Sequence, residues 1–216
     1  MRKAEKSARI VEILEALYPT VSPPLDHHDP FTLLVAVLLS AQTTDKMVNQ
    51  VTPQLFAKYP HPTELAQAQP EQVLEIIRRL GLAPQKAKHL VNLAKLLLER
   101  HQGEVPADLA ALEELPGVGH KTASVVMSQA FGQAAFPVDT HIHRLAWRWG
   151  LSDGSSVKQT EQDLCRTFRR ELWSKLHLQI IFFGREHCPA RSHQALDCPI
   201  CSWASPKSRQ QGSPKT

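Results

Sequence analysis

Lys121 stands just past a glycine turn. Residues 115–123 read Leu-Pro-Gly-Val-Gly-His-Lys-Thr-Ala, and the chain continues to Val138-Asp139-Thr140-His141. Residue types in this order imply an amine nucleophile beside a phosphate grip. A helix N-terminus offers unpaired N–H donors and a partial positive charge. Gly117 and Gly119 lack a Cβ, so the turn can take positive φ and an anion can come close. Such contacts hold nucleic acid without reading its sequence. The helix dipole and partial burial both disfavour an ammonium at Lys121, and the neutral amine is the nucleophilic form. Asp139 pulls the other way by Coulomb attraction, yet its carboxylate can also accept a proton. Plainer readings stand beside these: most lysines are solvated surface charges, and aspartate is common at N-caps for structural reasons alone.

The elements around these residues read as helices. Ile10, Val11, Ile13, Leu14 and Leu17 share one face, and Tyr18-Pro19 ends that run. Asp29 with Pro30 opens a helix whose residues 31–39 are apolar all round, the pattern of an element buried on every side. Residues 44–59 read as helix, with Pro53 restarting or kinking it. Pro70 opens a helix that Gly81 is expected to close as a C′ residue. Residues 86–101 are amphipathic, with Leu90, Leu93, Leu97 and Leu98 expected inward. Asp108 caps the short helix entering the glycine turn; residues 122–131 leave it, and Gly132 ends that helix. Asp139 caps the next, and residues 157–172 and 174–183 make two more. No segment alternates with the period of a strand. The fold class is all-α, with roughly ten helices.

The chain has 216 residues, enough for one large domain or two small ones, and 42 % are hydrophobic, enough for a true core. The formal net charge of +4 fits a polyanion partner without requiring one. No apolar run is long enough to cross a bilayer, and the basic start leads into an amphipathic helix, unlike a secretory leader. The expected setting is therefore the cytoplasm, where cysteines serve as ligands or buried thiols rather than disulfides.

At this point the sequence resembles the endonuclease III family of helix–hairpin–helix base-excision DNA glycosylases, over about residues 5–203. The likeness rests on residues 33–45 (Leu-Leu-Val-Ala-Val-Leu-Leu-Ser-Ala-Gln-Thr-Thr-Asp), Gly81-Leu82, Gly103-Glu104-Val105-Pro106, residues 115–126, Val138 to His141 with Arg144, and Phe183-Gly184-Arg185 before Cys188. It implies a bifunctional glycosylase and abasic-site lyase acting on oxidised pyrimidines in duplex DNA. Lys121 would attack C1′, and Asp139 would activate it and steady positive charge on the sugar. Gln42 would fill the gap left by a flipped base, and Leu82 would wedge the stack. Gly117, Gly119, His141 and Arg144 would contact DNA, and Ser40 and Asp45 would line the pocket. Without the resemblance, Gln42 and Asp45 read as caps of the buried helix, and Leu82 as a hydrophobic helix-end contact. His141 and His143 are not read as a metal pair, because residues two apart on a helix do not share a face.

The implied architecture is a six-helix domain, 26–135, carrying the hairpin, and a second helical domain from 1–25 and 136–203, with a DNA cleft between them. Residues 204–216 read as a disordered tail, and the protein as a monomer associated with the nucleoid.

The cysteines depart from the family pattern. The resemblance implies the [4Fe–4S] cluster that members usually carry on Cys-x6-Cys-x2-Cys-x5-Cys. Here the order is Cys188-x9-Cys198-x2-Cys201, and Lys207 occupies the fourth place. Adding His193 gives a Cys3His set, which zinc accepts tetrahedrally. Cluster, zinc and no metal all stay open at this stage. Cys165, in a helical stretch, reads as a buried thiol. The competing functional readings are a noncatalytic helix–hairpin–helix DNA-binding module and an inactive damage sensor.

Overall fold

The computed structural model describes residues 2–210 and 212–214, and every regular element among them is helical. The α-helices run in order α1 (Lys3–Leu17), α2 (Pro30–Leu39), α3 (Asp45–Lys58), α4 (Pro62–Gln67), α5 (Pro70–Ile77), α6 (Ala83–His101), α7 (Leu109–Glu113), α8 (His120–Phe131), α9 (Thr140–Arg148), α10 (Val157–Thr167), α11 (Trp173–Glu186) and α12 (Cys201–Ala204). Short 3₁₀ turns cover Arg170–Leu172 and Lys207–Arg209. The helices that apolar spacing marked are all present, except that the one expected over 157–172 stops at Thr167, where Phe168 turns extended, and Arg170–Leu172 forms a separate 3₁₀ turn. The two that spacing did not mark, α4 and α12, have six and four residues, too few to establish a period. The residues divide into two units, Pro23–Gln133 and Met1–Ser22 with Ala134–Thr216.

The first unit is built around α2. Asp29 caps it, its Oδ1 accepting from Thr32 N at 2.7 Å, and Pro30 sets the first helical φ. Every residue from Phe31 to Leu39 is buried, because α3, α6 and α8 all pack on this helix. α6 lies across α4 and α5 and buries Leu90, Leu93 and Leu97. Leu98, expected inward with them, is 38 % exposed and sits at the edge of that stripe. α7 and α8 pack together as the helical hairpin.

The second unit centres on Trp149, fully buried with its ring edge-on to Phe183 at 5.7 Å between centroids. Ile10 and Leu14 of α1, Ile142 and Leu145 of α9, Leu164 of α10 and Ile180 of α11 complete this core. Lys6 ties α1 in, its ammonium donating to Trp149 O and Ala204 O at 2.8 Å each.

The stretch read as a structureless tail holds a 3₁₀ turn, and Arg209 donates to Trp147 O at 3.2 Å and Ser152 O at 2.7 Å while lying over the Trp147 ring. Composition cannot register one arginine with that many partners. The rest of that expected tail includes Gln211, Lys215 and Thr216, which lie outside the described residues.

Candidate active site

The hairpin is assembled from local rules. Asp108 Oδ1 accepts from Ala111 N at 2.8 Å and starts α7. Leu115 and Val118 are buried anchors, and Val118 N donates to Leu115 O at 3.0 Å to close the turn. Gly117 has φ +80°, and a Cβ there would sit 2.5 Å from the His89 ring, so two independent constraints require glycine. Gly119 is different: its φ is −97°, and a Cβ would meet nothing within 4 Å. The space above it is open, which is what a backbone approached by an anion needs. α8 begins at His120, and no side chain at its N-cap, Gly119, caps it; Gly119 and His120 are both exposed. Glu113 and His120 join the two arms of the hairpin at 2.6 Å. Lys121 lies in this first turn, half-buried.

Asp139 belongs to the other unit. It is half-buried and caps α9, Oδ1 accepting from Ile142 N at 2.8 Å. That bond fixes the carboxylate's direction and uses one of its oxygens.

Gln42 and Leu82 occupy exposed loops and share an unusual backbone. Their φ values are +54° and +58°, and only Gln102 and Ser192 among the described non-glycine residues are also left-handed. Such residues cost of order 1–3 kcal/mol each and persist only where surroundings hold them. Gly81 is therefore not the left-handed C′ residue that its position after α5 implied. The left-handed residue is Leu82, and Gly81 is there for close approach, since a Cβ would lie 2.9 Å from Gln42 O.

What holds the Gln42 loop is a residue the sequence did not single out. Lys86 is 4 % exposed, and its ammonium donates to Leu39 O and Ala41 O at 2.7 Å each and to Thr43 Oγ1 at 3.0 Å. It thus caps the negative end of α2. Burial lowers its pKa below the ordinary lysine value. A signal was present: Ala83, Ala87 and Leu90 share its buried face, and a lysine on that stripe has to find acceptors. Ser40 ends α2, its hydroxyl donating to Val37 O at 2.8 Å, and Asp45 is the first residue of α3, capped by Thr44. Both are half-buried.

Arg144, expected at the DNA, lies on α9 with its guanidinium turned to the cysteine loop. It is 4 % exposed, and Nη2 donates to Cys188 O at 2.9 Å and Gly184 O at 3.3 Å. It braces the cysteine loop against α9 and α11. His141 Nδ1 lies 3.2 Å from the same Nη2. His143 points into the core against Thr160 Oγ1 at 2.8 Å, and burial lowers its pKa.

Cys188, His193, Cys198 and Cys201 come together as one buried set, their ligand atoms all within 4.8 Å of one another. Cys201 N donates to Cys198 Sγ at 3.4 Å. Arg148, fully buried and not anticipated, donates to Cys188 Sγ at 3.1 Å and Pro189 O at 2.8 Å. These donors are what thiolates need around a metal. Cys165 stands outside the set, half-buried, its thiol pushed up to about 11 by burial.

A helical hairpin with a left-handed glycine, followed by a lysine in the first turn, defines a class. Residues 35–170 match the HhH-GPD superfamily of base excision DNA repair proteins. Within it, the chain is 44 % identical to endonuclease III of Bacillus subtilis over 187 residues, 86 % of this chain and 85 % of that one. It is 40 % identical to endonuclease III of Escherichia coli over 200 residues, 93 % and 94 % of the two chains. Among solved structures it is similar to a trapped endonuclease III–DNA covalent intermediate, with a TM-score of 0.88, 41 % identity and coverage of 93 % and 94 %. The chain belongs to the endonuclease III family.

Proposed function

We propose that this protein is a bifunctional DNA glycosylase and abasic-site lyase, with Lys121 as nucleophile, Asp139 as its proton acceptor, and oxidised pyrimidines as substrates. The observation that carries the reading is Lys121 in the first turn of α8, directly after the Gly117 turn, in a chain similar to one captured covalently on DNA.

The neutral Lys121 amine attacks C1′ of the damaged nucleotide as the C1′–N bond breaks, and the base leaves with that electron pair and takes up a proton. Asp139 accepts the proton released from the amine and opposes positive charge developing on the sugar. Ring opening gives a Schiff base. Loss of a C2′ proton then expels the 3′ phosphate by β-elimination, and water hydrolyses the imine to free the lysine. Base flipping precedes all of this, because C1′ and its bond to the base are shielded inside the duplex. Gln42 occupies the vacated place, Leu82 wedges the neighbouring step, and Ser40 and Asp45 line the pocket. The N–H groups at Gly117 and Gly119 grip a phosphate. His141 completes the DNA contacts.

Cys188, His193, Cys198 and Cys201 would hold a metal whose part would be to fix the loop that Arg144 and Arg148 brace, and the steps above are carried by the chain's own residues. We place the enzyme at the nucleoid, working as a monomer on duplex DNA. No helix among the described residues is long and apolar enough to cross a membrane.

Lys121→Gln tests the assignment. It should abolish base excision and strand nicking on an oxidised-pyrimidine duplex while leaving duplex binding within about twofold. Retained nicking would remove Lys121 as nucleophile. Binding with no chemistry in the unaltered protein would favour a noncatalytic DNA-binding module.

A further inference from the structure

We propose that Cys188, His193, Cys198 and Cys201 hold a single zinc ion in place of the iron–sulfur cluster that the family resemblance implies. This rests on the reading that the four residues ligate a metal, and it deepens that reading by identifying the ion.

Size decides between the two. Zinc with Zn–S near 2.3 Å and tetrahedral angles sets thiolate sulfurs about 3.8 Å apart, and sulfur to imidazole nitrogen about 3.6 Å. The structure has Cys188 Sγ to Cys201 Sγ at 3.7 Å and Cys188 Sγ to His193 Nε2 at 3.7 Å. A cubane carries its terminal ligands on four separate irons, which puts them on the order of 6 Å apart. No pair of ligand atoms in this set exceeds 4.8 Å. The thiols cannot easily move outward, because Cys188 and Cys201 are fully buried and Cys198 is 3 % exposed.

The ligand types agree. Zinc is borderline in softness and takes three thiolates and an imidazole as readily as four thiolates. The long Cys188-x9-Cys198 loop supplies the imidazole. Ser192, left-handed at φ +58°, comes immediately before His193 and turns the chain there. Lys207, at the place of the family's fourth cysteine, sits in a 3₁₀ turn and carries no ligand atom for a cation. Cys198-Pro199-Ile200-Cys201 is a tight turn whose Cys201 N–H points back to Cys198 Sγ.

Charge closes as well. Three thiolates and a neutral imidazole around a divalent ion leave one negative charge over. The buried Arg148 guanidinium, in contact with Cys188 Sγ, balances it. A polar cavity of about 310 Å³ lies against one of the four ligands, lined by His193 with Arg148, Ser192 and Gln194. On binding, the three thiols lose their protons to solvent.

The test is metal analysis of the full chain expressed in medium supplied with both iron and zinc. One zinc per chain, iron at background, and a colourless protein are expected. About four irons per chain with broad absorption near 400 nm would overturn the proposal while leaving the metal-site reading intact. Neither metal would overturn both. Cobalt exchange then tests the ligand set. Cobalt-loaded protein should show the visible bands of a tetrahedral sulfur-rich site, and His193→Cys should move those bands to lower energy. Unchanged bands in that variant would remove His193 from the set.

Discussion

Gly81 and Gln42 meet backbone to backbone: a Cβ at position 81 would stand 2.9 Å from the Gln42 carbonyl oxygen and 3.7 Å from Thr43 Oγ1. That contact joins the two loops whose exposed left-handed residues, Gln42 and Leu82, are assigned to entering the duplex. The loops are therefore one mechanical unit, and Lys86 is its internal brace. Strain stored at two neighbouring exposed residues needs such a frame.

Gly81→Ala should push the loops apart without touching the hairpin. The expected result is roughly tenfold weaker binding to an abasic-site duplex, with binding to undamaged duplex changed little, since phosphate contacts alone set the latter. Paired titrations of the two duplexes measure this. Equal losses on both would show that the loops do not act at the lesion.

Lys86→Met should lower stability by about 1.5–3 kcal/mol, because Leu39 O, Ala41 O and Thr43 Oγ1 lose a charged donor. Thermal unfolding reads that loss. Below the new Tm, kcat/KM on damaged duplex should also fall, while Lys121 still forms a reducible imine with a small aldehyde. Full turnover in a destabilised variant would make Lys86 a purely structural residue.

Gly117→Ala and Gly119→Ala separate folding from phosphate contact. The first forces a side chain into φ +80° and against His89, so Tm should drop and all duplexes should bind more weakly. The second places a methyl in open space, so Tm should hold while binding still falls. A Gly119→Ala protein that binds normally would move the phosphate elsewhere.

His143 supplies a pH signature. Burial lowers its pKa, so the unfolded chain binds the proton more tightly than the folded one. Stability is then whole above about pH 6.5, the ordinary histidine value, and declines as pH falls toward the lowered pKa, by at most about 1.4 kcal/mol per pH unit. Denaturant unfolding between pH 5 and 7 should show a steeper decline in the native protein than in His143→Asn. Identical slopes would mean that the imidazole protonates as readily inside as outside.

How much of this was legible beforehand follows from the length scale of each signal. Asp29, Asp108 and Asp139 announce α2, α7 and α9, because a cap is a local bond between residues three apart. The hairpin is a contiguous motif, so it too reads directly. The bonds of Lys86, Arg144 and Arg148 do not read from the sequence, because their partners Leu39, Gly184 and Cys188 lie forty or more residues away along the chain. Gly81 looked like a helix terminator because the Gln42 carbonyl that excludes its side chain is equally remote. The cysteine spacing exposed the missing fourth thiolate and pointed to His193 as the substitute, and the fold gathers the same four residues with their ligand atoms within 4.8 Å of one another.

The most direct measurement is to identify the residue joined to DNA. The protein is incubated with an abasic-site duplex and borohydride, digested, and the DNA-bearing peptide sequenced by mass spectrometry. The account predicts the reduced sugar on Lys121. A sugar on any other amine, or an intact enzyme that nicks this duplex without forming an adduct, would contradict it.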